Sequence, residues 1–460
     1  MQYNTDFIRE GASFPPAEEA FRINGYVRNR QIYKGNIEQV FADYIPRIQS
    51  NDITATAFIT HLNYCRLQTI KTADLVSGEL PEVKSKGADE KKLEEAKEIV
   101  DKQLRPSAID YSRYGEFVSR FALDEEGKPE IIVFSPNIWI PVVSEENNTK
   151  VKYQVIAYPS TEGKIDVLNV QIHEKGKYTQ RVFKVQKKER VFTMQDNQKI
   201  GYTQYILGRE IKEPEEIITD TDDFVIFHGS NERTSDDIHG HSDYNETASI
   251  MAEMEIRFAQ IAKILDKHAE PNMISGIEAL EWADGKVTGV KAGGKVWIVG
   301  QDGQKPEYMT WEGQLLAAFK HIEELRKEFL TMSEMGAVLG DFDTSGAQGF
   351  EALQIKMVNA RLKARRITEQ LDPIYKKQIK MVYKALTGEA VTDLSVYWND
   401  GLPNDEKRDA EIATMKINAR IISRQTARQQ YEGMTEASAI EEGELIDEES
   451  PATFETNLFQ

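Results

Sequence analysis

Nine residues, SDDIHGHSD at 235–243, gather Asp236, Asp237, His239, His241 and Asp243. Imidazole and carboxylate are ligand types for divalent metals, and a metal-activated water would make a hydrolase. Structural zinc sites, however, draw on several cysteines or on more widely spaced histidines. Here Cys65 is the single cysteine, and no second histidine cluster is in view. The plainer reading is a polar loop leading into a helix capped at Asp243. The sequence therefore implies no metal and no other cofactor, with a metal-dependent hydrolase using His239 and His241 as the alternative. His61, His173, His228, His268 and His321 are scattered and read as surface or core residues. No GxSxG nucleophile elbow occurs. No GxxxxGK[ST] loop occurs either, and the glycines near 293–303 read as a hairpin, which excludes ATP hydrolysis by this chain.

A second feature is electrostatic. The chain carries a formal net charge of -19. Yet Lys356, Arg361, Lys363, Arg365, Arg366, Lys376, Lys377 and Lys380 crowd one helical stretch. One reading is ion pairing, within or between subunits, with the acidic remainder. The other is occasional contact with phosphate. A protein that grips DNA tightly shows a basic face. This chain as a whole does not, so any DNA contact is expected to be weak, local or repulsive.

Three stretches of different character position these residues. The first, to about residue 110, reads helical. Ile32, Ile37, Val40, Phe41, Tyr44 and Ile48 mark one face, and Ala57, His61, Tyr64, Leu67, Ile70 and Leu75 a second. A charged helix from Ala88 to Leu104 follows, closed by Pro106. The second stretch, about 112–230, is built of short strand runs such as EIIVFSPNIWIPVV, KVKYQVIAY, KIDVLNVQIHEKG, YTQRVFKV, ERVFTM and DFVIF. Turn residues separate them, and no helical pattern alternates with them, so antiparallel hairpins are expected.

The third stretch returns to helix. Asp243 to His268 carries an apolar stripe through Ile250, Met254, Phe258, Ile261 and Leu265. About 40 residues of short strands and glycines intervene. A second helix then runs from Trp311 to about Met335, with Leu315, Phe319, Ile322, Phe329 and Met332 on one side. At ~1.5 Å per residue each rod is roughly 35–40 Å long. Two rods flanking a small β knob make a stalk that cannot bury its stripes alone, so association of copies side by side is expected. A loop rich in Gly, Ser, Thr and Asp follows, and then a helix over 350–388 with a kink or break predicted near Pro373. The end offers a strand (VTDLSVYW), a helix from Glu406 to about Ile422, a short helix capped by Ser423, and an acidic, flexible tail from 441.

The 460 residues suffice for two or three packed units. A lone cysteine favours a reducing compartment. The first residues, MQYNTDFIREGASFPP, lack the basic and apolar regions of a secretory signal. No run of 18 apolar residues appears, so no membrane contact is expected.

In its order of segments the sequence resembles the portal proteins of tailed bacteriophages, the siphophage type in particular. The resemblance rests on VSGELPEV, EGKPEIIVFSPNIWIPVV, HGHSDYNETASIMAEMEIRFAQIAKILDKHAEPNM, TSGAQGFEALQIKMVNARLKARRITEQL and DGLPNDEKRDAEIATMKINARIISRQTA, and it spans nearly the whole chain. It implies an α+β portal fold assembled as a ring. The wing would be 1–242 with the long helix 350–390, the stem helices 243–270 and 311–335, the clip 271–310, the tunnel loop 336–349 and the crown 391–460. It implies a ring of twelve at one capsid vertex, passing double-stranded DNA during packaging, retention and ejection, and no catalysis. Partners would be the terminase large subunit, head–tail connector proteins, and major capsid and scaffolding proteins. The protein would be made in the bacterial cytoplasm and end in the virion. Gly336, Val338, Leu339, Gly340, Asp341, Phe342, Asp343, Thr344 and Ser345 would form the tunnel loop. Lys356, Arg361, Lys363, Arg365 and Arg366 would lie near DNA or a neighbouring subunit. Lys286, Lys291, Lys295 and Trp297 would be clip contacts. Another ring-forming structural virion protein is the further alternative.

Overall fold

The structure is a computed structural model that describes residues 1–36, 40, 61–193, 199–219, 221–269, 273–274, 280–283, 286–290, 307–308, 315–339, 355–398, 406–431, 434 and 436–449. The chain opens with strand β1 (Ser13–Phe14), helix α1 (Ala20–Lys34) and helix α2 (Tyr64–Ser77). Strand β2 (Glu82–Ser85) precedes α3 (Glu90–Asp101) and α4 (Leu104–Tyr114). Then come β3 (Glu116–Leu123), β4 (Pro129–Phe134), β5 (Trp139–Ser144), β6 (Asn147–Glu162), β7 (Ile165–Glu174), β8 (Lys177–Thr193), β9 (Lys199–Glu210), β10 (Glu215–Ile218) and β11 (Ile226–Ser230). Helix α5 (Tyr244–Ala269) leads to the small strands β12 (Met273–Ile274), β13 (Leu280–Ala283), β14 (Lys286–Val290) and β15 (Glu307–Tyr308). Helix α6 (Leu315–Met332), helix α7 (Val358–Thr387), strand β16 (Leu394–Tyr397) and helices α8 (Glu406–Asn418), α9 (Arg424–Tyr431) and α10 (Glu436–Glu449) complete the chain.

The strand-rich middle is antiparallel, as the hairpin signals imply. The main sheet runs β1-β9-β8-β7-β6-β5, with β10 paired to β8, and β11-β3-β4 form a second sheet. Alternate residues of β5 to β9 point to one core, with Ile140, Val142, Val155, Leu168, Val170, Phe183 and Leu207 buried together. Helix α7 lies on the smaller sheet. Its Tyr375, Ile379 and Val382 pack with Leu93, Ala96 and Val100 of α3 over Ile131 and Phe227. YTQRVFKV and ERVFTM form one strand rather than two, because β8 pairs along its length with β7, β9 and β10.

Several expectations are corrected. Pro106 opens α4 instead of closing the helix before it; in a first turn its missing N–H has no intrahelical partner to lose. Gly35, at φ 84°, ends α1 inside the stripe read from Ile32 onward. On α2 the buried face is Cys65, Gln68, Thr69, Thr72, Leu75 and Val76, while Leu67 is exposed. Apolar periodicity misplaces this face because Cys65, Gln68 and Thr69 are held there by bonds to α4 and α5. Of the kink or break expected near Pro373, the break does not occur: α7 is one helix over Val358–Thr387. Residues 441–449, read as flexible tail, belong to α10.

Contacts divide the chain into two units, Met1–Gly401 and Leu402–Gln460. Strand β16, read as the start of the crown, pairs with β2 and so belongs to the first unit. Within the second unit Ser423 caps α9, accepting the Thr426 N–H at 3.0 Å, as its sequence position implies. Lys416 bonds Tyr431 at 2.5 Å across α8 and α9. No helix among the described residues is long and apolar enough to cross a membrane.

Candidate functional site

The two rods, α5 and α6, pack against each other and meet at a common root. The HGHSD loop reaches that root because two glycines permit a close approach. Gly115 has φ +83°, and a Cβ there would lie 2.6 Å from the Ser242 nitrogen. A Cβ on Gly240 would run into the backbone of Gly115 and Asn231. Loop 240–242 therefore lies flat on the end of α4. The His241 N–H bonds the Asn231 carbonyl at 2.9 Å, and the Asp243 N–H bonds that of Ser112 at 2.9 Å.

Asp243 does not form the capping box its spacing with Glu246 suggests. Its carboxylate accepts from Ser112 Oγ at 2.7 Å and Asn231 Nδ2 at 3.2 Å. The third donor is Lys363 Nζ of α7, at 3.0 Å, with side chains only 8% and 6% exposed. The same ammonium donates to the Ser333 carbonyl at 3.2 Å, just past the end of α6. One lysine thus clasps the start of α5 and the end of α6. Helix α2 reinforces the root: Thr69 Oγ1 bonds Tyr244 at 2.9 Å, Gln68 accepts from Thr247 at 3.0 Å, and Tyr64 packs on Phe329.

Four more residues of the basic stretch are tied by ion pairs. Arg366 bonds Glu334, whose φ of 59° turns the chain out of α6, and lies 4.0 Å from Glu232. Arg365 pairs with Glu369 at 3.0 Å one turn along the helix. Lys377 pairs with Asp223 and Lys376 with Asp372. Lys356 is exposed and Arg361 half-buried. Of the residues read from sequence as a tunnel loop, Gly336, Val338 and Leu339 form a turn folded back on Met335, whose carbonyl accepts from Val338 and Leu339 at 2.9 Å each. Leu339 is buried. Gly340, Asp341, Phe342, Asp343, Thr344 and Ser345 lie outside the described residues, as do Lys291, Lys295 and Trp297. Lys286 opens β14, paired with Ala283 of β13.

His239 and His241 do not act as a pair. His241 is exposed, whereas His239 turns inward to a cluster that sequence reasoning missed. Its Nδ1 lies 2.9 Å from Glu116 Oε2, and His228 Nε2 lies 2.8 Å from the same oxygen. Glu116 also receives Arg22 at 3.2 Å and the Tyr26 hydroxyl, and Trp139 stacks on His228 at 4.2 Å. Burial pushes the Glu116 carboxyl up, but attraction to His239 and the hydrogen bonds from His228 and His239 hold it well below the usual range. Burial lowers His228, against the pull of Glu116. With Arg22 alongside, the cluster is balanced charge. Among the described residues no group of three His, Cys, Asp or Glu side chains could hold a metal ion. The only sequence signs of this cluster were the scattered His228 and, in the SDDIHGHSD run, His239, and nothing linked either to Glu116.

The family model for "Phage portal protein, SPP1 Gp6-like" matches residues 17–453. No curated relative matches the sequence. Among solved structures, the chain is similar to one from the neck of a native gene transfer agent particle computed with C12 symmetry, with a TM-score of 0.43 and 12% identity over 79% of this chain and 88% of that one. It is similar to one from the virion of a native gene transfer agent particle, with a TM-score of 0.41 and 12% identity over 81% of this chain and 90% of that one.

Proposed function

The chain belongs to the SPP1 Gp6-like phage portal protein family, and we propose that it forms a ring of twelve copies at one capsid vertex, through which double-stranded DNA enters and leaves. The family is structural rather than enzymatic, and the match over residues 17–453 carries the reading. A paired α5–α6 stem clasped at one root supports it. So does apolar surface a single copy leaves open: Leu316 on α6 is 85% exposed and Ile355, just before α7, is 73% exposed, with Phe319, Val358 and Leu362 also exposed. A ring closed by one repeated heterologous interface covers such surface. The stem is α5 and α6, and β12 to β15 belong to the clip, which docks the terminase large subunit and head–tail connectors. Major capsid and scaffolding proteins surround the wing.

DNA must slide, so tight phosphate binding would hinder it. The net charge of -19 fits a wall that repels the duplex and keeps it centred. The intramolecular pairs of Lys363, Arg365 and Arg366 fit the same idea, since they spend basic charge inside the subunit. Residues 340–345 then touch DNA transiently. Phage particles carrying a glycine linker in place of these residues are expected to package a genome of altered length or to leak DNA. Unchanged packaged length and retention would count against the tunnel-loop role.

A further inference from the structure

A groove of about 750 Å³ lies between α7 and the strands on its C-terminal side, lined among others by Arg120, Phe121, Leu123, His173, Ile218 and Lys380. That is the size of pockets that bury several ligand groups. Three lining polar atoms are buried without a hydrogen-bond partner: Arg120 Nε, His173 Nδ1 and Thr219 Oγ1. Buried polar groups are normally paired, so three in one groove mark a place shaped for something else.

Their chemistry can be read. Gln171 Oε1 accepts from Arg120 Nη1 at 2.6 Å and lies 3.3 Å from His173 Nε2. An amide oxygen only accepts, so His173 Nε2 carries the hydrogen and Nδ1 is an acceptor. Burial, with Arg120 beside it, brings His173 down to about 3, which keeps the ring neutral. The groove therefore offers a charged donor, a neutral acceptor and a hydroxyl. A lone anion without a proton, such as sulfate or chloride, would leave the acceptor unmet, whereas a peptide supplies an N–H, a carboxylate and the apolar side chains that the groove's rim calls for. Around these atoms lie exposed apolar side chains, Ile218 at 81% and Leu123 at 57%. Lys380 adds positive charge on the helix side, beside Lys377, which is paired with Asp223, in an otherwise acidic chain. Among the described residues β10 pairs only with β8, so one wall also presents a strand edge, which suits an extended segment.

We propose that this groove binds an extended, acidic peptide segment of a partner protein. Its carboxylate sits on Arg120 and Lys380, its backbone N–H donates to His173 Nδ1, and its apolar side chains rest on Leu123 and Ile218. The test uses the full chain and a fluorescent peptide alternating glutamate and leucine, with the glutamine counterpart as control, read by anisotropy. The acidic probe is expected to bind at least tenfold more tightly than the control. Lys380→Glu is expected to weaken it at least tenfold and His173→Phe to weaken it less, both with unchanged melting temperature and unchanged particles in negative stain. Absence of binding by the acidic probe, equal binding of both probes, or indifference to Lys380→Glu overturns the proposal. If Lys380→Glu instead stops copies from associating, the groove is a contact between copies and the partner-peptide assignment is wrong; the ring reading would survive that result.

Discussion

Replacing Lys363 by methionine removes the ammonium while keeping most of the side chain's volume. Asp243 then stays buried with two of its three donors, and the Ser333 carbonyl loses its bond at 3.2 Å. A hydrogen bond to a charged group contributes about 1.5–3 kcal/mol and a neutral one about 1. Breaking a buried pair from one side costs about 3–5 kcal/mol, because it strands a charge. The Ser112 and Asn231 donors soften this, so we expect a loss of ~3 kcal/mol. Adding Asp243→Asn removes the stranded charge and should recover about half of the loss. The assay is urea denaturation at one fixed protein concentration, since association of copies contributes to stability. Hydrogen exchange of 333–339 should rise in the single variant, because the end of α6 loses its tether. A single-variant loss under ~1 kcal/mol, or a double variant whose loss is the sum of the two singles, would refute the clasp.

Three further outcomes are expected. Burial pushes the Glu255 carboxyl up to about 8, despite the Leu62 N–H it accepts at 3.1 Å, so the folded chain holds a proton that the unfolded chain releases above pH 4.5. Stability through this group falls as pH rises from about 4.5 to about 8, and Glu255→Gln should stabilise at pH 8 but little at pH 4, by thermal melts. His228 is held below 6.5, so the unfolded chain gains a proton first on acidification; stability should fall as pH drops under 6.5, and His228→Gln should flatten that limb. Leu316→Asp with Phe319→Asp should change subunit stability by no more than about 0.5 kcal/mol, both sites being exposed, yet weaken association of copies in sedimentation.

What the sequence yields depends on whether a local pattern carries the information. Helices α5 and α6 were legible as helices because apolar residues recur at three- and four-residue spacing; Met254, Ile261, Ile322 and Phe329 of those stripes are buried, while Leu265, Phe319 and Met332 are exposed. The Ser423 cap was legible because it acts within one turn. The face of α2 was misread because it is held by Thr69 and Gln68 bonding to Tyr244 and Thr247, and polar contacts between distant segments leave no periodic trace. Lys363 was visible as one basic residue among several. Its partner lies 120 positions away, so its difference from Arg365, which pairs one turn along, is a tertiary fact. The HGHSD loop invited a metal reading, yet the fold sends His239 to Glu116 and leaves His241 exposed. Near Pro373 a kink or break was expected, and the helix is not broken there, since packing of Leu371, Tyr375 and Ile379 outweighs one lost backbone bond.

The most direct measurement is negative-stain electron microscopy of the purified full chain, with particle mass determined in parallel. The account predicts closed rings with a central hole and a mass near twelve copies of the 52.4 kDa chain. A monodisperse monomer or dimer, stable across salt and concentration, would contradict it.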